Sequence, residues 1–416
     1  MRRLLLAGLV AVACAPALVQ APATDWPAPP APVTVRRADY ELRWNGALIG
    51  FAHQRDDGAR LTRRERLVVR RGDVVVQDDL DLTIDREGGR PVLVRLERRG
   101  VQGTRGGVAR ATTAGWDVRM DGEPAVALPP ATPFEDALAR AGTDGGFVGP
   151  VLLAGWGFAI APLRIEPVAD GWQATLEVDG SDVRARIVYG ADGFPDRVDS
   201  GDGVTAARRP LDETTPRFDP VEVVDASALE VPPGAGRVLV FPEAQAPLPA
   251  LPGQDVRPAP RGGWRVELGV GFAGELPPGP DGPDRAAEIA SLTHQVARAV
   301  ADDLGATAGT VGAARAAARG DCTTHALSLV ALAEERGVPT RVVTGLRRED
   351  DRLVRHRWVV AWTGTRWLPV DPTFDESPAA PRLIGLAVHG PRAADLAVAD
   401  AVVFDRLGGR VALPTR

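Results

Sequence analysis

The chain has 416 residues, which at about 150 residues per domain excludes a single small module and leaves room for sizeable cores. Hydrophobic residues make up 44% and charged residues 25%, ordinary globular usage, and 46 Gly with 37 Pro stay below the disordered range. The 49 cations are all Arg and face 55 acidic residues for a net charge of −6, so there is no basic footprint for nucleic acid.

At the N-terminus, Arg2 and Arg3 precede an apolar run from Leu4, followed by Pro/Ala-rich sequence. This order predicts a signal peptide over 1–21 and a tether over 22–37, hence export to the periplasm or cell envelope. Val12-Ala13-Cys14 resembles a bacterial lipoprotein box with Ala11 where Leu is usual, which makes Cys14 a candidate lipid anchor. Cleavage at Ala15-Pro16-Ala17 or Val19-Gln20-Ala21 is the alternative. The apolar run is short for a membrane span, and no later uncharged stretch reaches about 18 apolar residues. The other cysteine is Cys322, so no disulfide staples the mature domains.

Residues 38–215 predict an antiparallel β domain. Tyr40–Trp44, Arg66–Arg70, Pro91–Glu97, Trp172–Val178 and Asp182–Tyr189 read as strands, with Asn45-Gly46 and Gly88-Gly89 as turns. The acidic run Asp78-Asp79-Leu80-Asp81 reads as a solvated face, and the domain's partner is unknown from its residues. Pro210–Pro220 marks a boundary, and 216–275 reads as strand segments, Gly236–Phe241 and Trp264–Phe272, around a Pro-rich linker. Over 276–416 the composition turns helical. Ile289, Leu292, Val296 and Val300 have helical spacing in a stretch from Pro283 to about Leu304. A second helix is expected over Val311–Arg319, and a third, amphipathic one over Cys322–Arg336, with Leu327, Val330 and Ala331 inward and Gly337 and Pro339 closing it.

A cysteine in the first turn of a helix meets unpaired N–H groups and the positive end of the dipole, which favours thiolate. Cys322 holds that place and is expected to be accessible. Downstream, His356–Trp362 and Thr365–Asp371 read as two strands joined by a two-residue turn at Thr363-Gly364. That register sets His356 directly opposite Asp371, with facing Cβ atoms about 4.5 to 5.5 Å apart, so that the carboxylate can orient the imidazole. Pro369 cannot donate to the ladder, which marks its strand as an edge or a bulge. His325 reads as a neutral, hydrogen-bonded helix histidine, and His53, His294 and His389 as surface or cap residues without partners. Cys322, His325, His356 and Asp371 are also zinc-ligand types, but the nucleophile, base and acid order explains them better. Trp358, Trp362 and Trp367 read as hairpin core, with a substrate groove as the alternative.

In this order the residues resemble the transglutaminase-like superfamily: a helix-initial Cys322, His356 leading a His-x-Trp strand with Trp358, and Asp371-Pro372-Thr373 after the next strand. Glu335–Val343 is similar to the family's link from helix to strand, and together the matches run from about Ala286 to Thr373. The resemblance implies a papain-like α+β fold and catalytic roles for Cys322, His356 and Asp371; no cofactor or metal is expected. Thr323 stands where the protein-cross-linking relatives carry Trp. The expected function is thiol-dependent acyl transfer on a peptide or protein substrate, with hydrolysis of a peptide or amide bond favoured over amine cross-linking. The alternative is an inactive transglutaminase-like binding or scaffold module of the cell envelope.

Overall fold

A computed structural model describes residues 35–407 apart from 72, 101–102, 201–202, 210–218, 223–228, 232–235, 243, 245–246, 270 and 272. The expected signal peptide, the tether up to residue 34, Cys14 and most of the Pro210–Pro220 boundary lie outside the described residues. Strands account for 52% of the chain and helices for 18%, so it is mostly β. It divides into two compact units, one of residues up to Val221 and one from Glu222 onward that also takes Arg71–Val74.

The N-terminal unit is built on one sheet, through which fifteen strands follow one another among the described residues. One meander runs from Arg36–Trp44 to Val126–Leu128 and another from Thr132–Pro133 to Val204–Arg208, and they join where Tyr40 pairs with Arg208. Alternation explains the strands: along Arg60–Arg71, Leu61, Arg63, Glu65, Leu67 and Val69 are buried while the residues between them are more exposed. The inward charges are paired, Arg63 to Glu65 at 2.7 Å and Arg86 to Asp56 at 2.8 Å. A helix at Phe134–Asp144 falls where strands alone were expected, with Phe134, Ala137, Leu138 and Ala141 buried on it and Gly145 ending it in the left-handed conformation.

In the C-terminal unit the elements, in chain order, are β1 (Leu229–Glu230), β2 (Val238–Phe241), β3 (Gln254–Pro258), β4 (Trp264–Leu268), α1 (Ala286–Ala299), α2 (Val311–Arg315), α3 (Cys322–Glu335), β5 (Thr340–Glu349), β6 (Arg352–Trp362), β7 (Trp367–Val370), β8 (Leu383–His389) and α4 (Ala393–Arg406). The main sheet has the order β1-β6-β5-β8, with β7 also on β6. Neighbouring residues on its strands feed opposite cores. Val342, Val359 and Val370 pack with Ile289, Leu292, Leu327 and Val330 of the helices, whereas Val343, Trp358 and Val360 pack with Leu251 and Leu383. Each fully buried Val or Leu contributes about 1.5–3 kcal/mol, so this two-sided burial is what fixes the register of β5 and β6.

Several expectations change here. Residues 216–275 are expected as strand segments around a Pro-rich linker; strands stand at β2 and β4, and the described residues from Glu222 onward group with the C-terminal unit. The amide of Gln254 clasps β8 from both sides, donating to Gly385 O at 3.1 Å and accepting from Gly385 N at 2.8 Å. α1 stops at Ala299 rather than near Leu304, because Val300 turns to extended backbone, and α2 is a single short turn. α3 is not amphipathic at its start: all ten residues Cys322–Ala331 are buried, as befits a helix at the centre of a domain. The β6–β7 turn is not two residues long. Thr363 N donates to Arg366 O, and the Thr363 hydroxyl accepts from the backbone N–H of Thr365 and Arg366, so the loop is Thr363–Arg366 and Trp362 pairs with Trp367.

Gly345 sits where β5 steps past a bulge against β8, and a Cβ there would lie 2.0 Å from Ile384 O, backbone with no freedom to withdraw. Gly345→Ala is expected to cost about 1–3 kcal/mol, read as a lowered urea midpoint. An unchanged midpoint would show that the two strands part freely at this point.

Candidate active site

α3 begins as it does because Asp321 caps it: the carboxylate accepts from Thr323 N at 3.0 Å and Thr324 N at 3.2 Å. Gly320 is required just before the cap, since a Cβ there would meet the Thr324 side chain at 2.2 Å. Thr324 Oγ1 in turn accepts from Ala308 N at 2.8 Å, tying the helix start to the preceding loop. Cys322 therefore opens a firmly held first turn. It is buried, with 5% of its surface exposed, so the expectation of an open thiol is replaced by a nearly covered one.

His356, on β6, donates from Nε2 to Asp371 Oδ2 at 2.8 Å, since a carboxylate can only accept. With Nε2 engaged, Nδ1 is the ring nitrogen left for the hydrogen bond His356 makes with Cys322. The meeting of His356 and Asp371 does not come from the expected facing pair. The β6–β7 register pairs Val359 with Val370, so Asp371 falls opposite Trp358 and reaches His356 on the diagonal. A diagonal cross-strand pair has Cα atoms roughly 7–8 Å apart, and both side chains lean together to close that span.

Two cations share one carboxylate oxygen. Arg347, on β5, donates to the same Asp371 Oδ2 at 2.7 Å and also to Glu376 Oε1 at 3.0 Å. Asp371 Oδ1 accepts from Thr373 N at 3.2 Å. Burial pushes the Asp371 carboxyl up, but His356 and then Arg347 hold it below its usual range. For His356, burial acts downward, and the charge and hydrogen bond of Asp371, followed by those of Cys322, overcome it and hold the imidazole at about 9. Burial pushes the Cys322 thiol up, and the hydrogen bond and charge of His356 act to draw it down.

Aromatic rings bracket the imidazole. Buried Trp358 stacks with it at 6.2 Å between centroids, and Phe374, 45% exposed, lies at 5.6 Å. Trp362 is also buried and meets Trp367 edge-on at 5.4 Å, so these two belong to packing around the hairpin. His325 is buried with Nδ1 at 3.0 Å from Asp321 O and Nε2 at 2.9 Å from Val300 O, which directs it to backbone and away from a metal set. Among the described residues no group of three or more His, Cys, Asp or Glu is placed to hold a metal ion. The other histidines have partners after all: His53 with Asp39 at 2.8 Å, His294 with Asp375 at 2.6 Å, and His389 between Thr344 Oγ1 at 2.8 Å and Gly390 O at 2.7 Å. Burial and then the charge of Arg357 push His389 down to about 4, so it is a neutral strut.

The family model of the transglutaminase-like superfamily matches residues 278–372, a stretch that holds Cys322, His356 and Asp371. The C-terminal unit contains a transglutaminase-like domain. Among solved structures, the chain is similar to a Cytophaga hutchinsonii protein described as a candidate cysteine protease, with 24% identity over 27% of this chain and 38% of that one, and a TM-score of 0.24. No curated protein matches the chain.

Arg347 and Glu376 escape sequence reasoning. Arg347 lies 24 positions from Asp371, one of 49 arginines, and nothing local distinguishes it. Removing it in Arg347→Met leaves Asp371 and Glu376 without their shared cation, at an expected cost of about 3–5 kcal/mol for breaking a buried pair. Both carboxyls sit below their usual values in the native protein, so the stability they bring is present at neutral pH and lost on acidification. The deficit of the variant is therefore expected to be full at pH 7 and to shrink below about pH 4, read from urea midpoints across pH. A pH-independent deficit would mean that Arg347 acts through packing alone.

Proposed function

We propose that the transglutaminase-like domain is a thiol acyl-transfer enzyme with Cys322 as nucleophile, His356 as base and acid, and Asp371 as the group that orients His356. The observation that carries this reading is one imidazole bonded on one side to Asp371 Oδ2 at 2.8 Å and on the other to the thiol at a helix start. We read the helices packed on the antiparallel β5–β8 sheet as the papain-like arrangement in which such a pair works.

The steps follow from the groups. With the thiol proton held by His356, Sγ attacks the carbonyl carbon of an amide, and the imidazolium gives its proton to the leaving amine as the C–N bond breaks. Water then attacks the thioester, its proton passes to His356, and the C–S bond breaks to restore the starting pair. Hydrolysis is favoured over cross-linking because an amine acceptor needs a dry, shaped channel to outcompete water, and no residue we identify builds one. The chain has no Lys, so it offers no lysine side chain for cross-linking to itself. A peptide or protein substrate of the cell envelope suits an exported enzyme.

Alkylation by iodoacetamide, read at the Cys322 peptide, tests the thiolate. Labelling is expected to stay fast below about pH 8.5, the ordinary thiol value, and to lose that reactivity in His356→Ala. Because the imidazolium is held to about 9, turnover is expected to fall as pH rises through that value, when the acid that protonates the leaving amine is lost. Equal, slow labelling of both proteins overturns the reading, as does turnover that survives Cys322→Ala. With a fluorescent primary amine present, hydrolysis product is expected to exceed amine incorporation, and the reverse would make the protein a transferase.

Export carries its own test. With Cys14 as the anchor, the mature chain is expected in the membrane fraction, and Cys14→Ser releases it or blocks its processing, because a diacylglyceryl cysteine supplies the chains that stable anchoring needs. A mature N-terminus beyond Cys14 in a freely released protein overturns anchoring and leaves export standing.

A further inference from the structure

Six residues after β7 form a closed turn with an exposed aromatic ring on it. Asp371 and Glu376 bond each other both ways, N to O at 2.9 Å and 3.0 Å, and Phe374 N donates back to Asp371 O at 3.3 Å. Arg347 grips Glu376 from beneath, and Asp375, in the left-handed conformation at φ 54°, is tied to His294 of α1 at 2.6 Å. The turn is thus held at both ends and from the side. Phe374, on this turn, keeps 45% of its surface in water. Its inner face lies on the Arg347 guanidinium, 3.5 Å from the ring centroid, and its edge reaches His356. The half-exposed ring thus stands beside the imidazole that serves Cys322.

We infer that Phe374 is the specificity-setting contact of this site, and that the substrate carries an aromatic or large aliphatic side chain next to the scissile amide. The inference rests on Cys322 being the reactive group. Its chemistry is apolar because the charge nearest the ring, Arg347, is already matched by Asp371 and Glu376 and offers nothing to an anionic substrate. An apolar side chain laid on the ring removes both surfaces from water, and a contact of this size discriminates roughly tenfold to a hundredfold between substrates.

Two electrophiles separate this from thiol reactivity as such: iodoacetamide and N-benzyl iodoacetamide. In each, Sγ attacks the methylene carbon, the C–I bond breaks, iodide leaves, and His356 retains the thiol proton. The readout is the ratio of the two rates at the Cys322 peptide, compared with glutathione under the same conditions. A change in thiolate content scales both rates alike and leaves the ratio constant. Wild type is expected to favour the benzyl reagent about tenfold more than glutathione does, Phe374→Ala to bring the ratio back to that of glutathione, and Phe374→Leu to keep part of the preference. A ratio that is the same in wild type and Phe374→Ala overturns the inference while fast labelling leaves the thiolate reading intact. A wild-type thiol that behaves like glutathione with both reagents overturns both.

Discussion

One carboxylate oxygen organises the C-terminal site. Asp371 Oδ2 accepts from His356 Nε2 and from Arg347 at 2.8 Å and 2.7 Å, in a position with no exposure to water. A buried carboxylate is stable only when its charge is matched, and a single neutral histidine would not match it. Arg347 supplies a fixed positive charge that helps keep Asp371 ionised, the ionised carboxylate draws His356 toward its charged form, and the charged imidazole acts to favour thiolate at Cys322.

The same oxygen explains why Asp371 works from a diagonal position. Past Val370 the chain leaves the ladder and turns into the Asp371–Glu376 bridge, which frees Asp371 to accept from β6, from β5 and from Thr373 N at once. The Thr363–Arg366 loop sets this up: its length decides where the ladder ends, and hence where the carboxylate falls.

What could be read from the sequence divides along the same physical lines. Cys322 at a helix start is local, since Gly320-Asp321 before it and Gly337 after α3 are cap signals, and the positions of His356 and Asp371 were legible as strand residues near a turn. The register between them was not, because Thr-Gly looks like a two-residue turn until the Thr363 hydroxyl takes two further N–H groups into the loop. The depth of α3 was also hidden: Thr323, Thr324, His325 and Ser328 look like a polar face, and each is buried with a hydrogen-bond partner that lies elsewhere in the fold. In the N-terminal unit the strands were legible by alternation, but Phe134–Asp144 was missed, a helix whose Glu135 and Asp136 are buried along with its apolar residues.

The absence of Lys has a structural consequence at Arg347. An ammonium is a point charge, and placed between two carboxylates it would bind one of them well or both poorly. The guanidinium instead gives NH1 to Asp371 and NH2 to Glu376 while its flat face receives Phe374. Burial can also strip a lysine of its proton, whereas a guanidinium keeps its charge throughout the range in which proteins fold. An arginine at this place therefore gives Asp371 a counter-charge that no proton transfer within the site removes, so a proton exchanged between Cys322 and His356 never leaves the buried carboxylate wholly unmatched.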